Sequence, residues 1–252
     1  MERSGQQGVR GRLRAALGLK AVHRRLDALE RRLEQGLERL ETQLHESREE
    51  AWDRSRERWR STRPTPNLTW DVSLDGDAFI ERAAAHGAFG PDRAIVEIGP
   101  GYGRLLRSAL SSGADFSAWT GVDLSAENVS YLTRELGDGR VTFVQEDVES
   151  FRARERVDTV ISSLTFKHLF PSFERALANL RENLAPAGLV IFDLIEGERR
   201  YFEEDGVTYI RWYSRPEIEE IAARAGLEVV AFDEVRHLPT LSRLLVVARR
   251  PD

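Results

Sequence analysis

The stretch Val96-Glu97-Ile98-Gly99-Pro100-Gly101-Tyr102-Gly103-Arg104 decides how the rest of the sequence is read. An apolar run over Ala94, Ile95, Val96 and Ile98 stops at three alternating glycines. Leu105, Leu106, Ala109 and Leu110 then recur on one helical side. A strand, a tight turn and a helix follow from that pattern. Glycine suits the turn because it takes positive φ without steric cost and lets a ligand reach bare backbone. The helix directs its first N–H groups at whatever lies over the turn. A dinucleotide-binding turn would place its third glycine at position 104, where this chain has Arg104. The pattern here is Glu-x-Gly-x-Gly-x-Gly, from Glu97 to Gly103. A glycine-rich turn that binds nothing is the plain alternative.

Beyond that turn, apolar segments alternate with helical ones. Strands are expected at 94–98, 118–122, 141–145, 157–162, 188–194, 227–232 and 243–249, and helices at 77–87, 103–112, 126–136, 172–184 and 215–225. Ser214 ahead of Pro216 and Glu217 is a good helix start, by capping and by proline's fixed φ. Gly188 and Gly226 each follow a helical pattern and precede a strand. Strands separated by helices imply an α/β fold with a doubly wound, mostly parallel sheet. The region 199–213 breaks the rhythm. Tyr201 to Glu204 and Val207 to Ile210 flank Asp205-Gly206, a hairpin turn signal. This insertion is expected on the ligand side of the sheet, as a substrate-facing flap or as a surface elaboration.

The chain has 252 residues, 41% of them hydrophobic and 31% charged, with no cysteine. Disulfides, thiolate metal sites and cysteine nucleophiles are thereby excluded. The charge is uneven. Residues 1–63 hold 16 of the 37 basic and 11 of the 42 acidic residues, leaving 21 and 31 to residues 64–252. A basic arm is joined to an acidic body, which argues against general nucleic-acid binding. Apolar residues at 19, 22, 26, 29, 33, 37, 40 and 44 trace a coiled-coil seam with one stutter near Gly36. The helix is expected to run on past Trp52 and Trp59 and to stop before Pro64 and Pro66. The expected organisation is therefore a basic segment and coiled-coil helix at 1–63, a linker at 64–76, and a body at 77–252 with the hairpin insertion at about 199–213. A lone helix with so narrow a stripe needs a partner, and a homo-oligomer through residues 19–60 is the expectation. Residues 9–25 mix apolar and basic side chains, as a frayed helix end does and as a peripheral contact with an anionic membrane face does. Neither a membrane-length apolar run nor a signal peptide is present, so a cytoplasmic location is expected.

The segment from Val96 to Gly103 resembles the first motif of the class I S-adenosylmethionine (SAM)-dependent methyltransferases. Gly121 to Leu124, Glu146 to Asp147, Asp158 to His168 and Leu184 to Phe192 look like the motifs that follow, so the resemblance spans about residues 70–249. It implies a seven-stranded sheet whose last strand runs antiparallel, with SAM as cofactor over the strand ends. Two departures are Pro186-Ala187-Gly188, where members commonly read Pro-Gly-Gly, and Pro100 inside the turn. The resemblance implies that Gly99, Gly101 and Gly103 form the cofactor turn and that Glu97 holds the ammonium of the methionine tail; a strand-end carboxylate accepting from nearby backbone N–H groups is the structural alternative for Glu97. Asp123, followed by Leu124, would accept from the ribose hydroxyls; a helix-capping Asp is the structural alternative. Asp147 would accept from the adenine amino group, with Val148 or Phe143 along the ring. Carbonyls at Ser162 and Ser163 would face the charged end.

The acceptor side is read from position. His168, after the fourth strand, is the candidate catalytic residue, since an imidazole titrating near neutrality would take a proton from an acceptor hydroxyl. Its structural alternative is to orient the following helix. Glu196, Arg199, Tyr201, Tyr209, Arg211 and Tyr213 are candidate acceptor contacts. No His/Asp/Glu spacing indicates a metal site. The expected activity is methyl transfer to oxygen on a small-molecule or glycan-type acceptor. The competing class is a non-catalytic scaffold that binds SAM or S-adenosylhomocysteine and acts through its coiled coil.

Overall fold

The computed structural model describes residues 46–64, 76–238 and 241–251. By its contacts the chain divides into residues 1–50 and residues 51–252. The seam at 19–44 and the basic segment at 9–25 lie outside the described residues, as does most of the expected linker. Of the first unit, residues 46–50 are helical and exposed.

Helix α1 covers 46–60. It is followed by α2 (Gly76–Ala85), β1 (Ala94–Ile98), α3 (Arg104–Ser112), β2 (Ala118–Asp123), α4 (Ala126–Leu136), β3 (Val141–Gln145) and β4 (Val157–Ser162). A 3₁₀ turn (Phe166–His168), α5 (Glu174–Asn183), β5 (Leu184–Ile195), β6 (Arg200–Phe202), β7 (Tyr209–Arg211), α6 (Arg215–Arg224), β8 (Glu228–Leu238) and β9 (Leu241–Arg249) complete the order. Seven strands form one sheet in the order β3-β2-β1-β4-β5-β9-β8. The first five run parallel and only β9 is antiparallel to its neighbours β5 and β8. This is the expected Rossmann-like sheet. The hairpin β6–β7 forms a separate two-stranded ribbon. Its strands pair farther from the turn than expected, because the Asp205 carboxylate accepts from the N–H groups of Val207 and Thr208 and closes the loop by itself.

Strand alternation divides the core into two layers. On β1, Val96 and Ile98 face the layer under α5 and α6, whereas Ile95 faces the layer under α2, α3 and α4. The same split separates Val160 from Ile161 and Phe192 from Ile191. On α3, Leu105, Leu106 and Ala109 are buried, while Leu110 turns to solvent.

The expected boundary at residue 63 differs from the observed division. Ala51, Ser55 and Arg56 are buried, and they belong to the compact unit that runs to Asp252. The part of the helix past Glu50 is here covered by the same chain. Among the described residues, no helix is long and apolar enough to cross a membrane.

The turn after β1 is left-handed at Gly101 (φ 58°) and at Gly103 (φ 84°). A Cβ at Gly103 would meet Leu136 Cδ1 at 2.6 Å and Leu132 Cδ2 at 2.8 Å, whereas one at Gly101 would meet nothing. Gly101→Ala is therefore expected to cost about 1 kcal/mol from backbone strain alone. Gly103→Ala should cost about 2 kcal/mol or more, because α4 must also shift. Urea midpoints of the two variants measure the difference.

Candidate functional site

The direction of strand order reverses between β1 and β4, and a cleft opens there at the carboxyl ends of the strands. Glu97, Gly99, Gly101, Asp123, Leu124, Asp147, Val148 and His168 all line it. Two expected residues do not. Gly103 packs on α4, and the Ser162 hydroxyl donates to the Ile98 carbonyl at 3.0 Å, tying β4 to β1. Ser163 lines the cleft in its place.

Asp123 ends β2 almost fully buried. Its carboxylate accepts from Gly101 N (3.2 Å), Ser125 N (2.8 Å) and Asn128 Nδ2 (3.3 Å). Burial raises its pKa and these donors pull it back. A carboxylate has about four lone-pair sites, so acceptor capacity remains for a hydroxyl in the cleft. The capping alternative holds indirectly, since Ser125, whose N–H Asp123 fixes, is the N-cap of α4 and accepts from Asn128 N.

Glu97 is buried at the end of β1 and accepts from Trp119 Nε1 at 3.1 Å. Burial pushes its pKa up to about 7, against the Trp119 bond and the charge of Arg104. An ammonium arriving beside it would restore the ionised form. Arg104, at the start of α3, donates to Ser163 Oγ at 2.7 Å. Ser163 in turn donates to the buried Asp193.

Asp147 follows β3 and is gripped from two sides. Its Oδ1 accepts from Glu149 N at 2.9 Å, and its Oδ2 lies 2.8 Å from Arg56 Nε. Arg56, from α1, is 1% exposed and also pairs with Glu149 at 2.5 Å. Trp59 sits one turn further along, its ring 4.4 Å from that of His168. The Ser125 hydroxyl donates to the Thr62 carbonyl at 2.5 Å. Arg56, Trp59 and Thr62 all line the cleft. Sequence reading missed all three, because they lie before the apparent domain boundary. It also missed Asn128, which the spacing Ser125-x-x-Asn128 would have placed on the first turn of α4.

His168 differs from expectation in its ionisation. Burial, then the charge of Lys167, lowers its pKa to about 3, with Arg243 and Arg58 adding to the effect, so the ring is neutral throughout the physiological range. Its Nδ1 lies 2.7 Å from the Tyr209 carbonyl. A carbonyl only accepts, so Nδ1 carries the hydrogen and Nε2 keeps a lone pair. Of the expected acceptor contacts, Glu196, Arg199, Tyr201, Tyr209, Arg211 and Tyr213 are absent from the cleft lining. Tyr209 reaches it through His168, and Tyr213 is buried in the core behind α5. Among the described residues, no three His, Asp or Glu side chains group as metal ligands.

Residues 95–188 match the methyltransferase domain family. A malonyl-[acyl-carrier protein] O-methyltransferase of Priestia megaterium (strain DSM 319 / IMG 1521) is 29% identical over 128 residues, covering 48% of this chain and 46% of its own. The chain thus spans about half the length of the curated relatives it matches. Among solved structures, 1,6-didemethyltoxoflavin-N1-methyltransferase of Burkholderia thailandensis, with bound 1,6-didemethyltoxoflavin and S-adenosylhomocysteine, superposes with a TM-score of 0.65 at 23% identity. That match covers 81% of this chain and 91% of the other. A DhpI–SAH complex reaches 0.63 at 23% identity, over 80% of this chain and 97% of its own. Residues 95–188 thus match a methyltransferase domain, and the fold is the one seen in methyltransferase structures solved with S-adenosylhomocysteine.

The buried acid makes a testable statement about stability. Glu97 has its pKa raised from 4.5 to about 7, so the folded state holds the proton more tightly than the unfolded chain does. The protonated form costs nothing below the unfolded pKa, and stability is lost as pH rises through the folded one. Glu97→Gln removes this loss. Its stability relative to wild type is expected to improve by about 2 kcal/mol between pH 5 and pH 8, as read by urea unfolding at each pH.

Proposed function

We propose that the chain transfers a methyl group from SAM to an oxygen of a small or glycan-type polar acceptor, with His168 beside the acceptor. The observation that carries this reading is the convergence of Glu97, Gly101, Asp123 and Asp147, from three strand ends and a glycine turn, on one cleft that also holds His168. The residues fit the cofactor. The carboxylate of Asp123 keeps a free lone pair for the ribose, and Gly101 leaves open space for close approach. Glu97 is an acid raised by burial that an ammonium would compensate. Asp147 with Val148 would take the adenine, and Leu124 the edge of the ribose.

When bound, the cofactor supplies an electrophilic methyl carbon. The protein's part is alignment and exclusion of water. Nε2 of His168 is an acceptor for an acceptor hydroxyl's hydrogen and so turns an oxygen lone pair toward the methyl. A base with pKa about 3 is too weak to ionise an alcohol beforehand. It is strong enough to take the proton once the oxygen has become an oxonium, which is far more acidic. His168 would therefore act late, holding the proton through the displacement and receiving it afterwards.

Calorimetry with S-adenosylhomocysteine and labelled-methyl uptake across a panel of hydroxyl compounds test the reading. Asp123→Ala is expected to weaken S-adenosylhomocysteine binding by about 1–3 kcal/mol, the range for hydrogen bonds to a charged group. His168→Ala should lower turnover and leave that affinity unchanged. Wild-type protein that gives no heat with S-adenosylhomocysteine would refute the donor assignment; equal turnover of His168→Ala would remove the histidine from the reaction.

A further inference from the structure

Residues 51–63 cross the mouth of the cleft and are fastened on both sides of it. On the β2–β3 side, Arg56 meets Asp147 and Glu149, and the Thr62 carbonyl accepts from Ser125. On the hairpin side, Arg58 Nε donates to Thr208 at 3.3 Å, and the Arg54 guanidinium lies 5.8 Å from the centre of the Phe202 ring. Trp59 rests on His168 between the two. The segment roofs the cavity and does not fill it, since Arg56, Trp59 and Thr62 line the same cleft as Gly101 and Asp123.

We propose that this segment is a wall of the cofactor site and that Arg56 is the positioning residue that sets Asp147 for the adenine. The inference rests on the donor reading above. Two observations carry it. Arg56 is buried against two carboxylates, of which the Glu149 side chain is 5% exposed, so one guanidinium charge compensates both. Its Nη1 is also buried without a hydrogen-bond partner among the described residues, as is Trp59 Nε1. Buried donors of this kind are costly unless something accepts from them. Adenine offers an amino donor flanked by ring-nitrogen acceptors. A carboxylate beside a guanidinium N–H is the complement of that edge. Hypoxanthine reverses the edge, with an oxo acceptor and an N–H donor, and would face Arg56 and Asp147 mismatched.

The test is calorimetry on the full chain with S-adenosylhomocysteine and S-inosylhomocysteine, for wild type, Arg56→Ala, Arg56→Lys and Arg134→Ala. Wild type is expected to prefer the adenine compound by about tenfold or more, as buried polar recognition does. Arg56→Ala should lose about tenfold in affinity for S-adenosylhomocysteine and most of the preference, a readout that loosened packing alone would not move. Arg56→Lys, which keeps the charge without the fork, should recover part of the affinity. The exposed Arg134→Ala, on α4 and away from the cleft, should match wild type. Circular dichroism establishes that each variant is folded; if Arg56→Ala is not, Arg56→Lys decides, with a preference equal to wild type counting against the proposal. A folded Arg56→Ala protein that binds S-adenosylhomocysteine within twofold of wild type and keeps the preference overturns the role of Arg56 alone. Wild-type protein that binds neither compound overturns the donor reading as well.

Discussion

The left-handed turn between β1 and α3 is the constraint on which the site depends. Gly99, Gly101 and Gly103 all take positive φ, so the chain reverses within a few residues of the buried strand end. That reversal leaves Glu97 under the turn and swings the N–H of Gly101 onto Asp123 of the next strand. It also lets α4 approach closely at Gly103. Two acids of the cleft, Glu97 and Asp123, are thus referenced to one piece of backbone. A bulkier or more flexible turn would disconnect them from one another.

The protein handles its buried carboxylates in three distinct ways. Asp123 is surrounded by N–H donors from the local turn. Glu97 has one indole donor and holds its proton more tightly instead. Asp147 is compensated by a full positive charge, brought from 91 residues earlier in the chain. Local donors are cheap to arrange because the turn supplies them. A distant guanidinium needs a whole helix to be docked, which makes the third acid conditional where the first is built in.

Much of this architecture was legible in the residues. The alternation of apolar runs with helical patterns gave the strand order's parallel part, since β-branched strands such as 94–98 and 157–162 stand between helices with clean amphipathic spacing. Glycine spacing and the acids at strand ends marked residues that meet in one cleft for the same reason, because local backbone chemistry places them. Arg56 and Trp59 were not legible. Their heptad-like spacing describes a stripe that needs covering, and periodicity carries no information on which surface covers it. The ionisation of His168 was hidden likewise, as it is set first by burial, which only the folded packing around the ring supplies. Ser162 and Ser163 show the limit of register: Ser162 ends β4 and ties it to β1, and only Ser163, one residue past the strand, reaches the cleft.

The roofing helix leaves the ribosome before anything it docks on. Its anchors at Ser125, Asp147, Glu149, His168 and Thr208 are all made later, the last about 150 residues downstream. Until Thr208 has emerged, the apolar and cationic face of residues 51–60 waits in solution beside a half-built sheet. Contacts of such long sequence separation form late in folding. Full docking of the helix therefore waits on the hairpin, and a nascent chain cut short of Thr208 lacks the last of its anchors.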